Sequence, residues 1–387
     1  MEIVVTGIGL LTAFGPRDST WKQLLAGQTA IRLSQPYSEL PAKPLALIHA
    51  TPIALETLTQ AVIQAALEDA GLTPPLVDCG VVIGSSRGNQ ARWEQLARQS
   101  WTETQETSQP PEYPLQNWLS TFPNTAAVQA ARSIQTQAPV LSPMAACATG
   151  IWSIMQGTEL IRTGQCDRVL AGAVEAPITP LTLAGFDRMG ALAPTGAFPF
   201  DCDREGMVLG EGGAVFVLET AELAQQRQAK VYGQILRAGL SADGFHVSAP
   251  EIGSQAAIAA VKQCLNRSGL TATDIDFIHT HGTATQLNDR NEAYLIQHLL
   301  PQAAVLATKG ATGHTIGASG ALGVAFSLLA LQQQLLPPCV GLRHPAFELD
   351  FVRTTRPTPV NVALCLSFGF GGQNGALALA RHECLAN

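Results

Sequence analysis

Two stretches of this chain repeat each other in register. Leu67, Gly71, Leu72, Thr73, Asp78 and Gly84 recur as Leu265, Gly269, Leu270, Thr271, Asp276 and Gly282, at one constant offset of 198 positions. A Gly-Leu pair after a helix is common punctuation, but six matches in one register point to a duplicated helix-turn-strand. The element order repeats as well. Leu141 to Ile161 reads as strand, turn and helix, and Val305 to Leu331 has the same order. Two βαβ-rich halves, 1–229 and 230–387, therefore predict an α/β sandwich whose sheets are covered by helices. A site is expected where pseudo-equivalent strand ends meet.

The rest of the chain fits around that repeat. Strands are predicted at Glu2–Gly9, Val77–Gly84, Arg168–Ala173, Gly213–Glu219 and Val231–Gly239. Helices are predicted at Ser19–Ala26, capped by Ser19 or Thr20, at Ala54–Ala70 ending on Gly71, at Asn124–Ile134 and at Gln255–Ser268. Residues 33–58 read as irregular and 176–200 as loop with a short helix. Residues 87–121 are polar, carry Trp93, Trp101 and Trp118, and lack a clear period, so they read as an excursion from the core.

Composition narrows the function classes. The 387 residues are 46% hydrophobic and only 14% charged, so the chain buries much of itself, and another subunit is expected to cover part of its surface. No apolar run reads as long and clean enough to span a bilayer. The opening Met1-Glu2-Ile3-Val4-Val5 reads as a strand, not a signal peptide. A net charge of −7 argues against a nucleic-acid partner. The eight cysteines are scattered with no CxxC pair, so neither a metal site nor a disulfide scaffold is expected, and a reduced cytoplasmic location is the default.

One cysteine stands apart. Cys147 lies in Leu141-Ser142-Pro143-Met144-Ala145-Ala146-Cys147-Ala148-Thr149-Gly150-Ile151, between a strand and the small-residue helix Ile151–Ile161. A thiol at a helix N-terminus is expected to have a lowered pKa and a larger nucleophilic thiolate fraction. The competing reading is a cysteine buried for packing. Three further motifs lie in the second half. They are His279-Thr280-His281-Gly282-Thr283-Ala284-Thr285, Thr308-Lys309-Gly310-Ala311-Thr312-Gly313-His314, and Ser367-Phe368-Gly369-Phe370-Gly371-Gly372. Each taken singly is compatible with a satisfied histidine or a glycine turn. Together with Cys147 they describe one chemistry.

From the opening Val5-Thr6-Gly7-Ile8-Gly9 to the closing Ser367-to-Gly372 motif, the sequence resembles the β-ketoacyl-acyl carrier protein synthases of the elongating type. Asp201-Cys202-Asp203-Arg204-Glu205-Gly206 and Gly210-Glu211-Gly212 add to the likeness. Thiolases proper carry a second cysteine near the C-terminus, where this chain has Phe368-Gly369-Phe370. The resemblance implies the thiolase fold, a duplicated five-layer αβαβα sandwich. It implies decarboxylative Claisen condensation in fatty acid or polyketide-like synthesis, with Cys147 as nucleophile and His281 and His314 as donors to an enolate. By the same resemblance, Lys309 positions His314 and holds local charge, and the N–H groups of Cys147 and Phe370 form an oxyanion hole. Phe370 gates the acyl pocket; Thr283 and Thr285 contact pantetheine, and Phe368 and Gly369 border the substrate. No cofactor or metal is implied. The implied partners are an acyl carrier protein and a second copy of the chain, with a heterodimer left open.

Three departures stand out. Gly323 occupies a position where elongating synthases usually carry a glutamate, and Phe198 one where many relatives have arginine. Leu33 to Ser86, where the family tends to carry basic residues for carrier docking, contains Lys43 as its only lysine or arginine. These keep two other readings open: a non-catalytic partner subunit, and an acyltransferase or decarboxylase that acylates Cys147 without condensing.

Overall fold

The computed structural model describes residues 1–107 and 118–382. Ten strands carry the architecture: β1 (Ile3–Thr12), β2 (Cys79–Gly84), β3 (Val140–Leu141), β4 (Arg168–Glu175), β5 (Gly212–Thr220), β6 (Gly233–Ala242), β7 (Phe277–His279), β8 (Ala304–Leu306), β9 (Val362–Gly369) and β10 (Gln373–Ala380). Outward from the centre, the first half runs β1-β5-β4-β2-β3 and the second β6-β10-β9-β7-β8. The pairing senses match step for step: antiparallel, antiparallel, parallel, parallel. The two sets join where β1 pairs antiparallel with β6 through Ile3–Ile235, Val4–Gln234 and Val5–Gly233. This is the duplicated α/β sandwich expected from the repeat, in the five-layer form that the resemblance implies.

Helices α1 (Arg17–Leu25), α2 (Leu55–Ala70), α3 (Gln90–Thr107), α4 (Thr125–Ile134), α5 (Thr149–Arg162), α6 (Pro180–Arg188), α7 (Gln255–Ser268), α8 (Gln286–Leu299) and α9 (Ser319–Gln333) complete the layers. α2 lies over β1 and β5, α7 covers β6 and β10, and α5 and α9 lie between the sheets, each touching strands of both halves. α9 is buried at every residue from Ser319 to Leu331, which explains its apolar surface all round. The run Ile316–Gln333 does meet the length and composition of a membrane span, contrary to the expectation, but 89% of it is buried inside the molecule.

The repeat is visible as a repeated contact, in which the helix residues recur at the offset of 198 and the strand glycines at 230. A Cβ on Gly9 would overlap the Val62 carbonyl and come within 2.6 Å of the Ala66 nitrogen. A Cβ on Gly239 would overlap the Ala260 carbonyl and come within 2.7 Å of the Cys264 nitrogen. Each half thus lays its long helix directly on a glycine of its central strand. Gly71 and Gly269 end those helices in the left-handed conformation, at φ 65° and 68°.

Local differences have local causes. α1 begins at Arg17 with no side-chain cap; Ser19 and Thr20 lie inside its first turn and donate to the Phe14 and Gly15 carbonyls. The region read as irregular holds two short paired strands, Arg32–Ser34 and Lys43–Ala46. The excursion forms α3, rich in good helix formers but short of apolar residues, so its period is weak; Trp93 and Trp101 are exposed on it. The part of that excursion at 108–117 lies outside the described residues.

Gly9→Ala and Gly239→Ala are expected to lower stability by about 3 kcal/mol, because backbone atoms must yield. Gly185→Ala, where a Cβ meets nothing within 4 Å, should stay within about 1 kcal/mol of the parent. Urea denaturation of the three variants measures this.

Candidate active site

The turn that carries Cys147 precedes α5. Ala146 adopts φ 46°, three residues before the helix starts, and Thr149 locks the turn by accepting the Ala145 N–H at 2.9 Å and donating to the Ala146 carbonyl at 2.7 Å. The second half repeats the device. Ile316, at φ 43°, stands three residues before α9. The two helix starts abut, since a Cβ on Gly150 would lie 2.4–3.1 Å from Ala321 and Gly320 atoms. That contact brings Cys147 from one half against His314 from the other.

Cys147, His281 and His314 are all buried, with one donor atom from each lying within 4.8 Å of the others. The two imidazoles stand edge to face, ring centroids 5.2 Å apart. His314 Nδ1 is 2.7 Å from Ser319 Oγ. The Lys309 ammonium donates to the His281 carbonyl and lies 3.4 Å from His281 Nδ1. Lys309 therefore attends His281, not His314 as expected. It opens the short helix Lys309–Thr312, from which its side chain turns back to the end of β7, and Ser319 takes the role at His314. The Lys309 partner assigns one tautomer: a charged ammonium can only donate, so His281 Nδ1 accepts and its Nε2–H is free to act as a donor, and His314 presents the same Nε2–H when the Ser319 hydroxyl donates to its Nδ1.

Electrostatics favour neutral imidazoles. Burial, then the Lys309 charge, holds both His281 and His314 well below the ordinary histidine value. Burial lowers Lys309 itself, opposed by the buried carboxylate of Glu292. Cys147 differs from the expectation. Burial pushes its thiol up to about 11, opposed by the Lys309 charge and by backbone N–H bonds from Phe370 and from Cys147 itself. The helix N-terminus does not outweigh desolvation, so the resting group is the thiol. Those same two N–H groups are the expected oxyanion-hole donors. The three donors could in principle ligate a cation, but the adjacent Lys309 ammonium opposes one.

The cavity, of about 330 Å³, is lined by Cys147, His281, His314, Thr283, Thr285, Phe368, Gly369 and Phe370 among others. Thr283 and Thr285 share a 2.9 Å hydrogen bond. Phe368 packs edge-on to His281, and Gly369 is kept small by the Cys147 nitrogen, 2.9 Å from where its Cβ would be. Phe370 is 37% exposed and faces Phe186, ring centroids 6.1 Å apart. All the sequence-predicted site residues thus come together.

Two family descriptions match: "Beta-ketoacyl synthase, N-terminal domain" over residues 53–224 and "Beta-ketoacyl synthase, C-terminal domain" over 232–343. The 3-oxoacyl-[acyl-carrier-protein] synthase 2 of Rhizobium meliloti (strain 1021) is 32% identical, covering 98% of this chain and 99% of the relative. The chain belongs to the β-ketoacyl synthase family. The synthase of the same description from Mycobacterium bovis is 34% identical over 98% of this chain and 97% of its own. Among solved structures, the ishigamide ketosynthase/chain length factor superposes with TM-score 0.89 at 26% identity, covering 98% of this chain and 99% of that one. By class the protein is an acyltransferase with the thiolase fold.

Sequence reasoning missed several residues that hold this synthase's site. Glu292 accepts the His281 and Gly282 N–H groups at 2.6 and 2.7 Å, and Asp289 accepts that of Phe200 at 2.7 Å. Both lie on α8 at a spacing that reads as a solvated face; only burial reveals them. Ser367 Oγ–H fastens β9 to the Cys147 carbonyl at 2.8 Å. Asp243 donates its N–H to the Gly372 carbonyl and accepts from Asn374. Glu211, within the Gly-Glu-Gly motif, accepts the Ile48 and Ile53 N–H groups at 3.1 and 2.8 Å and is fully buried.

Burial pushes Glu211 up to about 7, so the folded chain keeps a proton that the unfolded chain releases near 4.5. Between those values the folded state binds more protons, and stability falls as pH rises. Glu211→Gln should flatten that decline by about 2 kcal/mol, read from urea midpoints at about pH 5 and pH 7.5.

Proposed function

We infer that this synthase condenses an acyl thioester, held on Cys147, with a malonyl thioester carried by an acyl carrier protein. The observation that carries the reading is the shared cavity: a buried thiol with two neutral imidazoles beside it, one donor atom from each lying within 4.8 Å of the others. Halves 1–229 and 230–387 each supply part of it, the first the nucleophile and the second the imidazoles and Lys309.

The steps follow from these groups. The Cys147 sulfur attacks the acyl thioester, the carrier thiol leaves, and the thiol proton ends on it. Lys309 and the Cys147 and Phe370 N–H groups stabilise negative charge at the sulfur and on the tetrahedral oxyanion. The malonyl thioester then enters past Phe370, its pantetheine arm along Thr283 and Thr285. Its carboxylate C–C bond breaks, CO2 departs, and the electron pair becomes an enolate. His281 and His314 donate their Nε2–H groups to the enolate oxygen. Neutral donors suit this step, because an imidazolium would protonate the enolate. The carbanion attacks acyl-Cys147, the C–S bond breaks, and the expelled thiolate takes a proton from water.

Carrier docking has to work without the usual basic segment. Arg188 follows the wall of Phe186 beside Met189, and Arg290 stands one helical turn after Leu287; Met189 and Leu287 line the cavity, and both arginines are exposed. They suit an acidic carrier better than the region 33–86 does. Exposed Val128, Val140, Leu141 and Met144 lie on α4, the edge strand β3 and the following loop, a surface suited to a second subunit in a cytoplasmic dimer. The complete Cys147, His281 and His314 set favours the catalytic member of such a pair.

Intact mass after incubation with an acyl carrier donor should show one acyl adduct on the parent and none on Cys147→Ala. His281→Ala and His314→Ala should still acylate yet lose condensation by about 10²–10³-fold. An adduct on Cys147→Ala, or no adduct on the parent, overturns the reading. Arg188→Glu with Arg290→Glu should raise the KM for carrier-bound substrates about tenfold while leaving small pantetheine thioesters unaffected; steady-state kinetics with both donors decides it.

A further inference from the structure

His279 ends β7, two residues before His281, and its ring is only 3% exposed. Nε2 lies 2.9 Å from Thr308 Oγ1, and Thr308 immediately precedes the short helix that begins with Lys309. Nδ1 is buried with no partner and faces α9 at Gly323. A Cβ at Gly323 would lie 2.6 Å from Nδ1, 2.8 Å from Cε1 and 2.9 Å from Cys365 Sγ. Phe326, further along α9, closes the far side with its ring centroid 6.2 Å from that of His279. Helix α9 is hollowed at Gly323, and the hollow seats an imidazole. A buried nitrogen left without a partner is unfavourable, so the ring is held here by what its other nitrogen does. Burial and the Lys309 charge push His279 down to about 3, so it adds no charge to the site.

We propose that His279 is a positioning residue for the condensation: seated in the cavity left by Gly323, it registers the Thr308–Lys309 turn against the strand end that carries His281. The two segments are then joined by two links, His279 to Thr308 and Lys309 to the His281 carbonyl. A side chain at position 323 would drive the ring into Thr308. The glutamate that relatives place there therefore has no room, and Glu292 is the carboxylate whose charge most supports that of Lys309. Loss of the ring frees the turn, and Lys309 then no longer holds the His281 tautomer or lowers the Cys147 thiol.

The inference rests on the roles given to Lys309 and His281 above. Its test reads Cys147 directly. The titratable groups acting on Cys147 are Lys309, Glu175, His281 and His314, and none is altered in the variants. Glutamine at 279 places its terminal amide near the Nε2 position; alanine cannot reach Thr308; Thr308→Val removes the bond at nearly constant volume. His279→Ala and Thr308→Val should each slow alkylation of Cys147 by iodoacetamide at about pH 8 by about tenfold. They should also lower the kcat of condensation about tenfold, with the KM for the malonyl carrier within about twofold. His279→Gln should restore both rates to within about threefold. Alkylation at the parent rate in His279→Ala and Thr308→Val, or equal damage in His279→Gln and His279→Ala, overturns the proposal. A fall in melting temperature with both rates unchanged does the same, since it marks a merely structural ring. If His279→Ala fails to fold, Thr308→Val decides alone. A parent protein that does not condense, yet shows this alkylation pattern, overturns the proposed reaction and leaves the positioning role standing.

Discussion

The close approach of two helix starts governs this molecule. Gly150 and Gly320 carry no side chains, and so α5 and α9 meet backbone to backbone between the sheets. Each helix is preceded by a residue with positive φ, Ala146 or Ile316, which turns the chain sharply at the strand-side loop. Such a conformation persists only where its surroundings over-determine it, and here each turn is pinned by the other half. Widening that contact by one methyl group would separate the thiol from the imidazoles. The site is therefore a property of the interface between halves.

Around this contact, buried polar groups do the positioning. Glu292 holds the backbone of His281 and Gly282, Ser319 holds His314, and Ser367 ties the Phe370 hairpin to Cys147. Glu175 accepts the Gly317 N–H together with groups from Ser85, Ser86 and Arg87, linking the loop after His314 to the end of β2. Buried carboxylates are unfavourable unless they gather several donors, and these do. The arrangement is stiff, which suits a reaction whose rate depends on donors already aimed at a developing oxyanion. The buried Nδ1 of His279, which has no hydrogen-bond partner, is thus conspicuous beside these well-satisfied carboxylates.

The same burial that aligns the groups sets their protonation. Desolvation keeps His281 and His314 neutral and Cys147 a thiol, while Lys309 is the cation that acts on all three. In the proposed reaction Cys147 is therefore activated by stabilising charge as it forms, through Lys309 and the two backbone N–H groups, and not by a standing pool of thiolate. A helix N-terminus alone, as pictured from the sequence, falls off within the first turn and does not offset full burial.

Periodic patterns, punctuation and short motifs made much of this legible in the sequence. The repeat at 198 residues, the glycine stops at Gly71 and Gly269, and the motifs around Cys147, His281, His314 and Phe370 defined a duplicated α/β fold and its chemistry. Such features are local, and a local signal survives in one dimension. Which group attends which was decided only by the tertiary structure. Lys309 turns back to His281, Ser319 takes His314, and Glu292 and Asp289, spaced like a solvated helix face, lie fully inside. His279 and Gly323 are 44 positions apart in the chain and meet across a strand and a helix. Hydrogen-bond partners and desolvation depend on distances between remote segments, and no spacing within one segment encodes them.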